Sequence, residues 1–290
     1  MKKRVVVELV GGYCNSRCRW CFLQYEIGKQ IVKGFMSRTS FMKFLDLNNP
    51  KKISLIPYSH GEALLHPSFN VFVEQAVNKS FVLCSIHTNL SMYLTDQHIR
   101  SLACVEEITV NVGGTDEFTH FTNMGTDLKV VKLNLQRLIE RKEKGIKLKM
   151  VLNRVNIGQK DKLRDFAMRI SESIEFSTYP IYFTTSDSTN EDKWNFFYRN
   201  LDGRTECRDS VILEGDTIQI KPKTKKCPGM VPTIRWNGKV QVCCRPRSQD
   251  GVVGDAFEFP ITEIIQSDSY REAESNGRKR KYVSYCRYCS

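Results

Sequence analysis

Three cysteines fall within eight residues near the start of the chain, Cys14, Cys18 and Cys21 in the stretch YCNSRCRWCF from Tyr13 to Phe22. On a tight loop, the spacing C-x3-C-x2-C lets three thiolates hold three corners of a cubic [4Fe-4S] cluster and leaves the fourth iron open to another ligand. The competing reading is a tetrahedral zinc site, which closely spaced cysteines also suit. Zinc would need a fourth ligand, and no further Cys or His stands nearby in the sequence. A second set lies at the far end: Cys227, then Cys243 after an Asn237-Gly238 hairpin signal, then Cys286 and Cys289 as C-x2-C. Four thiolates suit one cluster with every iron held by protein, although zinc competes more seriously here, since four-cysteine zinc sites use similar pairs.

The first motif, with Trp20 just before its third cysteine, resembles the signature of the radical S-adenosylmethionine (AdoMet) enzymes. The resemblance implies that the amino and carboxylate end of AdoMet binds the open iron. It also implies that a reducing donor such as flavodoxin or ferredoxin drives cleavage of AdoMet to a 5′-deoxyadenosyl radical. Ser59 to Pro67, SHGEALLHP, resembles the family's GGE-P-L-L-H-P region, with His60 in place of the first glycine and Ala63 in place of the proline. By that likeness Gly61 and Glu62 meet the AdoMet amino group, a plausible pairing of carboxylate with ammonium. Thr88 and Asn89 look like the family's strand-end TNG, with Leu90 replacing the glycine. Asn111, at a fourth strand end, is a candidate contact for the AdoMet ribose or the substrate. The C-terminal cysteines resemble the auxiliary-cluster extension called twitch, a reduced form of the SPASM domain, so the cofactors implied are two [4Fe-4S] clusters and AdoMet.

The elements that must position these residues alternate along the chain. Expected strands are Arg4 to Val10, Lys52 to Pro57, Phe81 to Ile86, Glu107 to Val112, Leu148 to Val155 and one within Ile174 to Phe183. Expected helices are Thr39 to Leu47, Pro67 to Val77, Thr95 to Ala103, Leu128 to Lys144 and Lys160 to Ser171. Six strand-helix units suggest an α/β fold, a partial (β/α)6 TIM-like barrel with the chemistry at the C-terminal strand ends. The expected domains are the barrel over 1–185, a bridge over 186–226 in which Trp194, Phe196, Phe197 and Tyr198 serve packing, and a small auxiliary Fe–S (twitch) domain over 227–290. Its hairpin pairs Pro232 to Trp236 with Lys239 to Cys243, and Gly254 to Arg271 carries a glycine and short helix.

Of the 11 cysteines, four stand outside both sets. Cys84 and Cys104 read as small core residues, and Cys207 has no assigned role. Cys244 adjoins a presumed ligand on the opposite face of a strand. It could replace Cys243 as a ligand, stand by, or return a hydrogen atom to a substrate radical. Hydrogen return would give epimerisation, and electron loss to the auxiliary cluster would give oxidation.

The 44 basic and 32 acidic residues leave a formal charge of +12, a field that favours anionic partners. The basic runs Lys221 to Lys226 and Arg278 to Lys281 read equally as solvated faces, and no RNA- or DNA-binding motif accompanies them. Hydrophobic residues make up 41%, as in soluble globular domains. No apolar run approaches the roughly 20 residues of a spanning helix, and Glu8 interrupts the N-terminal run before it resembles a signal peptide. Cysteines grouped as ligand sets suit a reducing compartment, so a cytoplasmic location is expected. The expected activity is oxidation or epimerisation at a C–H bond of a small hydroxylated metabolite such as a sugar or aminocyclitol, possessing an acidic or phosphorylated group. The length leaves no separate leader-peptide domain, which favours this over a second expectation, the same chemistry on a ribosomally made peptide. A third is a non-catalytic Fe–S or zinc protein that binds nucleic acid.

Overall fold

Valines 5, 6 and 7 are buried, and they place the first strand, β1 (Lys3–Val7), at the centre of a sheet rather than at its edge. In this computed structural model the described residues are 2–183, 189–202, 204, 205, 207, 211–221, 227, 230–243, 251–281 and 286. Cys244 and Cys289 lie outside them, as does the basic run 222–226.

Two short strands, β2 (Val10–Gly11) and β3 (Gly34–Phe35), form a small antiparallel ribbon around the cysteine loop. Beyond it, β4 (Ile53–Ile56) pairs in parallel with β1 and with β5 (Val82–Leu83). A second parallel sheet runs β6 (Ser85–Thr88), β7 (Glu107–Val112), β8 (Ile146–Val151), β9 (Glu175–Tyr179). The expected third strand is thus split at Cys84, whose N–H donates to Leu55 O at 2.9 Å. Glu106 N reaches back to Leu83 O at 2.8 Å, so the two sheets continue one another around this break. Six parallel strands therefore follow in chain order, and among the described residues β9 does not return to β1. The result is the expected partial barrel, open on one side.

Helices cover its outer face: α1 (Glu26–Lys29) on the cysteine loop, then α2 (Arg38–Leu47), α3 (Phe69–Asn78) and α4 (Asp96–Ala103). They are followed by α5 (Glu117–Met124), α6 (Leu128–Ile139) and α7 (Lys162–Ile170). Thr95 caps α4 by accepting from His98 N, as its position suggests. Helix α6 ends at Ile139, short of the expected Lys144. The chain must then turn through Gly145 (φ +79°), where a Cβ would lie 2.3 Å from Glu106 O. Helix α5 was not expected, yet its boundary signals are present: Asp116 accepts from Thr119 N at 2.9 Å and Gly125 ends it at φ +67°.

Downstream, α8 (Asn190–Asn200) and the hairpin of β10 (Val211–Glu214) and β11 (Thr217–Ile220) build a second apolar cluster around Phe196. Phe196 is fully buried and Trp194 and Phe197 pack against the cluster, while Tyr198 is exposed. The C-terminal hairpin, β12 (Thr233–Ile234) and β13 (Lys239–Gln241), is shorter than expected and turns at Gly238 (φ +86°). Strand β14 (Gly254–Asp255) extends it, followed by α9 (Ile261–Gln266) and α10 (Asp268–Arg278). Strand β12 pairs in parallel with β1, Val6 opposite Thr233 and Val7 opposite Ile234, so the C-terminal hairpin extends the barrel sheet. Cys104 is exposed at the end of α4, not in the core, because the helix ends there on its solvent side; Cys84 is half-buried at the strand break. Among the described residues no helix is long and apolar enough to cross a membrane.

Burial of His120 is one source of pH sensitivity in this fold. His120 is fully buried, its Nδ1 accepts from Gly113 N at 3.2 Å, and burial pushes the ring down to about 4 from its ordinary 6.5. The native state therefore binds fewer protons than the unfolded chain, and stability is intact above the ordinary value and lost as pH falls toward the folded one. At pH 5 the loss from His120 is about 2 kcal/mol by linkage. Urea unfolding at pH 7 and pH 5 should show this drop, and His120→Gln should shrink it by about that amount.

Candidate active site

The cysteine loop leaves β2 at Gly12 and is held from two directions. Arg17 N and Arg19 N donate to Met124 O and Asn123 O at 2.7 and 3.0 Å, tying it to the end of α5. On the other side Glu62 N donates to Tyr13 O at 2.9 Å, and Gly12 N donates to His60 O. Gly61 lies where these segments press together: its φ is +155°, and a Cβ there would meet Tyr13 O at 2.7 Å and Val10 O at 2.8 Å. Only glycine fits so close a backbone approach.

Cys14, Cys18, Cys21, Gly61, Glu62, Thr88, Asn89 and Asn111 all line one cavity of about 350 Å³ at the C-terminal ends of the strands. Glu62 is buried and accepts from Thr88 Oγ1 at 2.8 Å, from Asn89 N at 2.8 Å and from Leu64 N at 3.3 Å. Burial pushes its carboxyl up from the usual range, against these hydrogen bonds. Among the described residues no cation pairs with it, so a ligand ammonium would supply the missing charge. Asn89 Nδ2 donates to Asn15 Oδ1 at 2.8 Å and faces Cys14 Sγ at 3.7 Å, while its Oδ1 accepts from Ser91 Oγ at 2.7 Å. Asn111 lies on the next strand, its Nδ2 3.5 Å from Thr88 O.

The thiols suit metal. Burial, then the Glu62 carboxylate, pushes Cys14 up to about 12, and burial, then Cys21 and Cys14, pushes Cys18 well up. Such thiolates form only with a strong local positive charge, which bound iron provides. Among the described residues no three Cys, His, Asp or Glu side chains close on a single ion; a cubane, by its own width, spreads its ligands further apart than a lone ion does. Ser16 Oγ, in the same wall, is buried and has no hydrogen-bond partner, leaving it for a ligand.

Part of the cavity lining was not legible as a site from the sequence. Lys149 of β8 places its ammonium 4.4 Å from the centre of the Tyr179 ring. His87 stacks on Tyr58 at 4.4 Å, and burial, then the Lys149 charge, pushes the imidazole down to about 4, so it stands neutral. All four line the cavity with Tyr182. The signal that could have found Lys149 is its parity: it is two residues from Lys147 on one strand and directly opposite Asn111.

Among the described residues, Cys227, Cys243 and Cys286 do not line this cavity. Cys227 N donates to Arg278 O at 3.1 Å and Cys286 O accepts from Arg280 Nη1 at 3.1 Å, so both lie by the end of α10. Cys243 follows β13 and packs on the main core. The choice between Cys243 and Cys244 as ligand falls partly outside the described residues.

Residues 227–290 match the SPASM family, an iron-sulfur cluster-binding domain. No curated protein matches the sequence. Among solved structures, anSMEcpe with bound AdoMet is 12% identical with a TM-score of 0.67, over 100% of this chain and 85% of that one. BtrN in complex with AdoMet and 2-DOIA is 14% identical with a TM-score of 0.60, over 100% and 93%. Streptococcus suis SuiB bound to the precursor peptide SuiA is 14% identical with a TM-score of 0.62, over 100% and 71%. At such identities these show a shared fold.

The backbone contact at Gly61 is directly testable. Gly61→Ala should lower stability by more than about 1 kcal/mol, because the new methyl cannot be accommodated without moving the cysteine loop. Gly158→Ala, where a Cβ meets nothing within 4 Å, is the control and should stay within about 0.5 kcal/mol of the parent in chemical unfolding.

Proposed function

We propose that this radical AdoMet protein of the SPASM/twitch group acts on a C–H bond of a small hydroxylated metabolite carrying an anionic group, with oxidation or epimerisation as the outcome. The observation that carries the reading is the polarity of one cavity. Its lining holds the three cysteines and Glu62, which suit a cluster and an ammonium, together with the cation Lys149. AdoMet and [4Fe-4S] clusters, one of them auxiliary, are the cofactors of this group. Cleaved by an electron from a reducing donor such as flavodoxin or ferredoxin, bound AdoMet supplies a radical strong enough to remove hydrogen from an unactivated carbon.

The chain's own residues then have distinct tasks. Cys14, Cys18 and Cys21 hold the first cluster, and Cys227, Cys243, Cys286 and Cys289 the second. Glu62 pairs with the AdoMet ammonium, and Gly61 lets the backbone approach it. Thr88 and Asn89 fix that carboxylate, through the Oγ1 and backbone N–H that donate to it. Asn111 faces the ribose or the substrate. Lys149 draws the anionic group of the substrate into the cavity, and the neutral His87 offers hydrogen bonding without competing charge. Cys244 is kept as a hydrogen-atom donor for the epimerisation outcome.

A second reading, a peptide substrate, is favoured by two of the similar structures: anSMEcpe is seen with the Cp18Cys peptide and SuiB with SuiA. The anionic-metabolite reading rests instead on Lys149 and on the +12 charge.

Anaerobically reconstituted protein should carry about eight iron atoms per chain for two [4Fe-4S] clusters, and with AdoMet and a strong reductant it should release 5′-deoxyadenosine. Zinc in place of iron, or no release from cluster-replete protein, overturns the enzymatic reading. In a panel of sugars and cyclitols, phosphorylated or carboxylated members should stimulate release more than neutral ones. Lys149→Met should abolish that preference, lowering stimulation by the anionic members about tenfold, the scale of one lost charge-assisted contact; stimulation by peptides alone favours the second reading.

A further inference from the structure

Arg235 lies 173 positions beyond Glu62 in the sequence (235 − 62), yet it is built into the loop that carries Glu62. Its Nε donates to Gln241 Oε1 at 2.6 Å. Its Nη1 lies 3.0 Å from Glu8 Oε1, 3.1 Å from Ser59 Oγ and 3.0 Å from His60 Nδ1. The arginine and glutamate side chains are 11% and 3% exposed, so the pair is internal. A guanidinium only donates, so His60 Nδ1 accepts and the ring proton sits on Nε2.

His60 in turn is held on every side. Its N–H donates to Glu8 Oε1 at 3.3 Å, its carbonyl accepts from Gly12 N, and its ring meets the Phe22 ring edge-on at 5.1 Å. Phe22 directly follows Cys21. The next two residues are Gly61, wedged against Tyr13 and Val10, and Glu62, whose N–H donates to Tyr13 O. The imidazole therefore connects the C-terminal hairpin to both the cysteine loop and the Glu62 loop.

We propose that Arg235 is a positioning residue for AdoMet binding: acting through His60, Ser59 and Glu8, it fixes Gly61 and Glu62 against the cysteine loop, so that the hairpin of the auxiliary region completes the first site. This rests on the reading that Gly61 and Glu62 meet AdoMet. Arginine suits the task because its fork reaches Gln241 and His60 together, which a lysine ammonium at the same position does not.

The test uses the full chain reconstituted with iron and sulfide. Arg235→Lys keeps a cation beside Glu8 but loses the fork; His60→Ala removes the acceptor and leaves the Arg235–Glu8 pair. Each should raise the AdoMet dissociation constant about tenfold in equilibrium dialysis at unchanged iron content. Each should also speed hydrogen exchange at the Glu62 amide, with or without AdoMet. If Arg235→Lys fails to fold, His60→Ala decides alone. Affinities within twofold of the parent and unchanged Glu62 exchange overturn the inference. A parent protein that binds no AdoMet overturns the underlying reading instead, and the exchange measurement still decides whether Arg235 orders the loop.

Discussion

The buried ion pair between Glu8 and Arg235 joins the two ends of the chain at the mouth of the barrel, and the rest of the architecture is arranged about it. Taking two charges out of water costs several kcal/mol per ion, and the attraction offsets this only when further hydrogen bonds satisfy both groups. Here Glu8 accepts from Arg235 Nη1 and His60 N, and Arg235 also donates to Gln241. Breaking such a pair by removing one partner leaves an uncompensated buried charge, so β12 cannot leave β1 without exposing Glu8 to that cost. The neighbouring Trp236 adds an apolar lock. Its indole lies over Gly11 and Gly34, where an added Cβ would come within 2.3 Å of it, and its Nε1 donates to Val32 O at 3.0 Å. The small ribbon that frames the cysteine loop is therefore capped by the C-terminal hairpin.

A second constraint comes from strand parity. In β7, β8 and β9 the register sets Thr109 beside Lys147 and Asn111 beside Lys149, then Lys147 beside Glu175 and Lys149 beside Ser177, so these residues share one face of the sheet. Near the start of these strands, Lys147 meets the exposed Glu175 at 3.7 Å. At the C-terminal strand ends, Lys149 and Glu62 both line one cavity. Charges of both signs on one partly enclosed lining favour a ligand of matching polarity.

What the sequence made legible was local. Cysteine spacing, valine runs and strand-end Gly-Glu and Thr-Asn steps each depend on residues close together in the chain, and the six strands and the shared cavity of Cys14, Cys18, Cys21, Gly61, Glu62, Thr88, Asn89 and Asn111 follow them. Arg235 and Glu8, separated by 227 positions, carry no joint pattern. Lys149 reads as one more lysine on a basic chain until the strand register turns it inward. Cys104 misled for a related reason: an apolar-looking residue at a helix end is buried or exposed according to which way the helix stops, and that is set by packing.

Leu90 holds a backbone geometry that usually asks for glycine. The resemblance to TNG asks for glycine there, and the backbone of Leu90 is left-handed, at φ +53°. Holding a non-glycine residue in that region costs about 1–2 kcal/mol, whereas burying a leucine side chain contributes about 1.5–3 kcal/mol. Leu90 is fully buried in the main core, and Asn134 Nδ2 donates to its carbonyl at 3.0 Å and to that of Met92 at 2.7 Å. The two terms nearly offset, so the strained turn persists without glycine's freedom. That turn sends the chain outward just after Asn89, which leaves the Asn89 N–H on Glu62 and its side-chain amide on the cysteine loop. Substituting leucine for glycine thus exchanges a flexible strand end for a rigid one, anchored by the core, at the residue that spans the two halves of the cavity's cysteine wall.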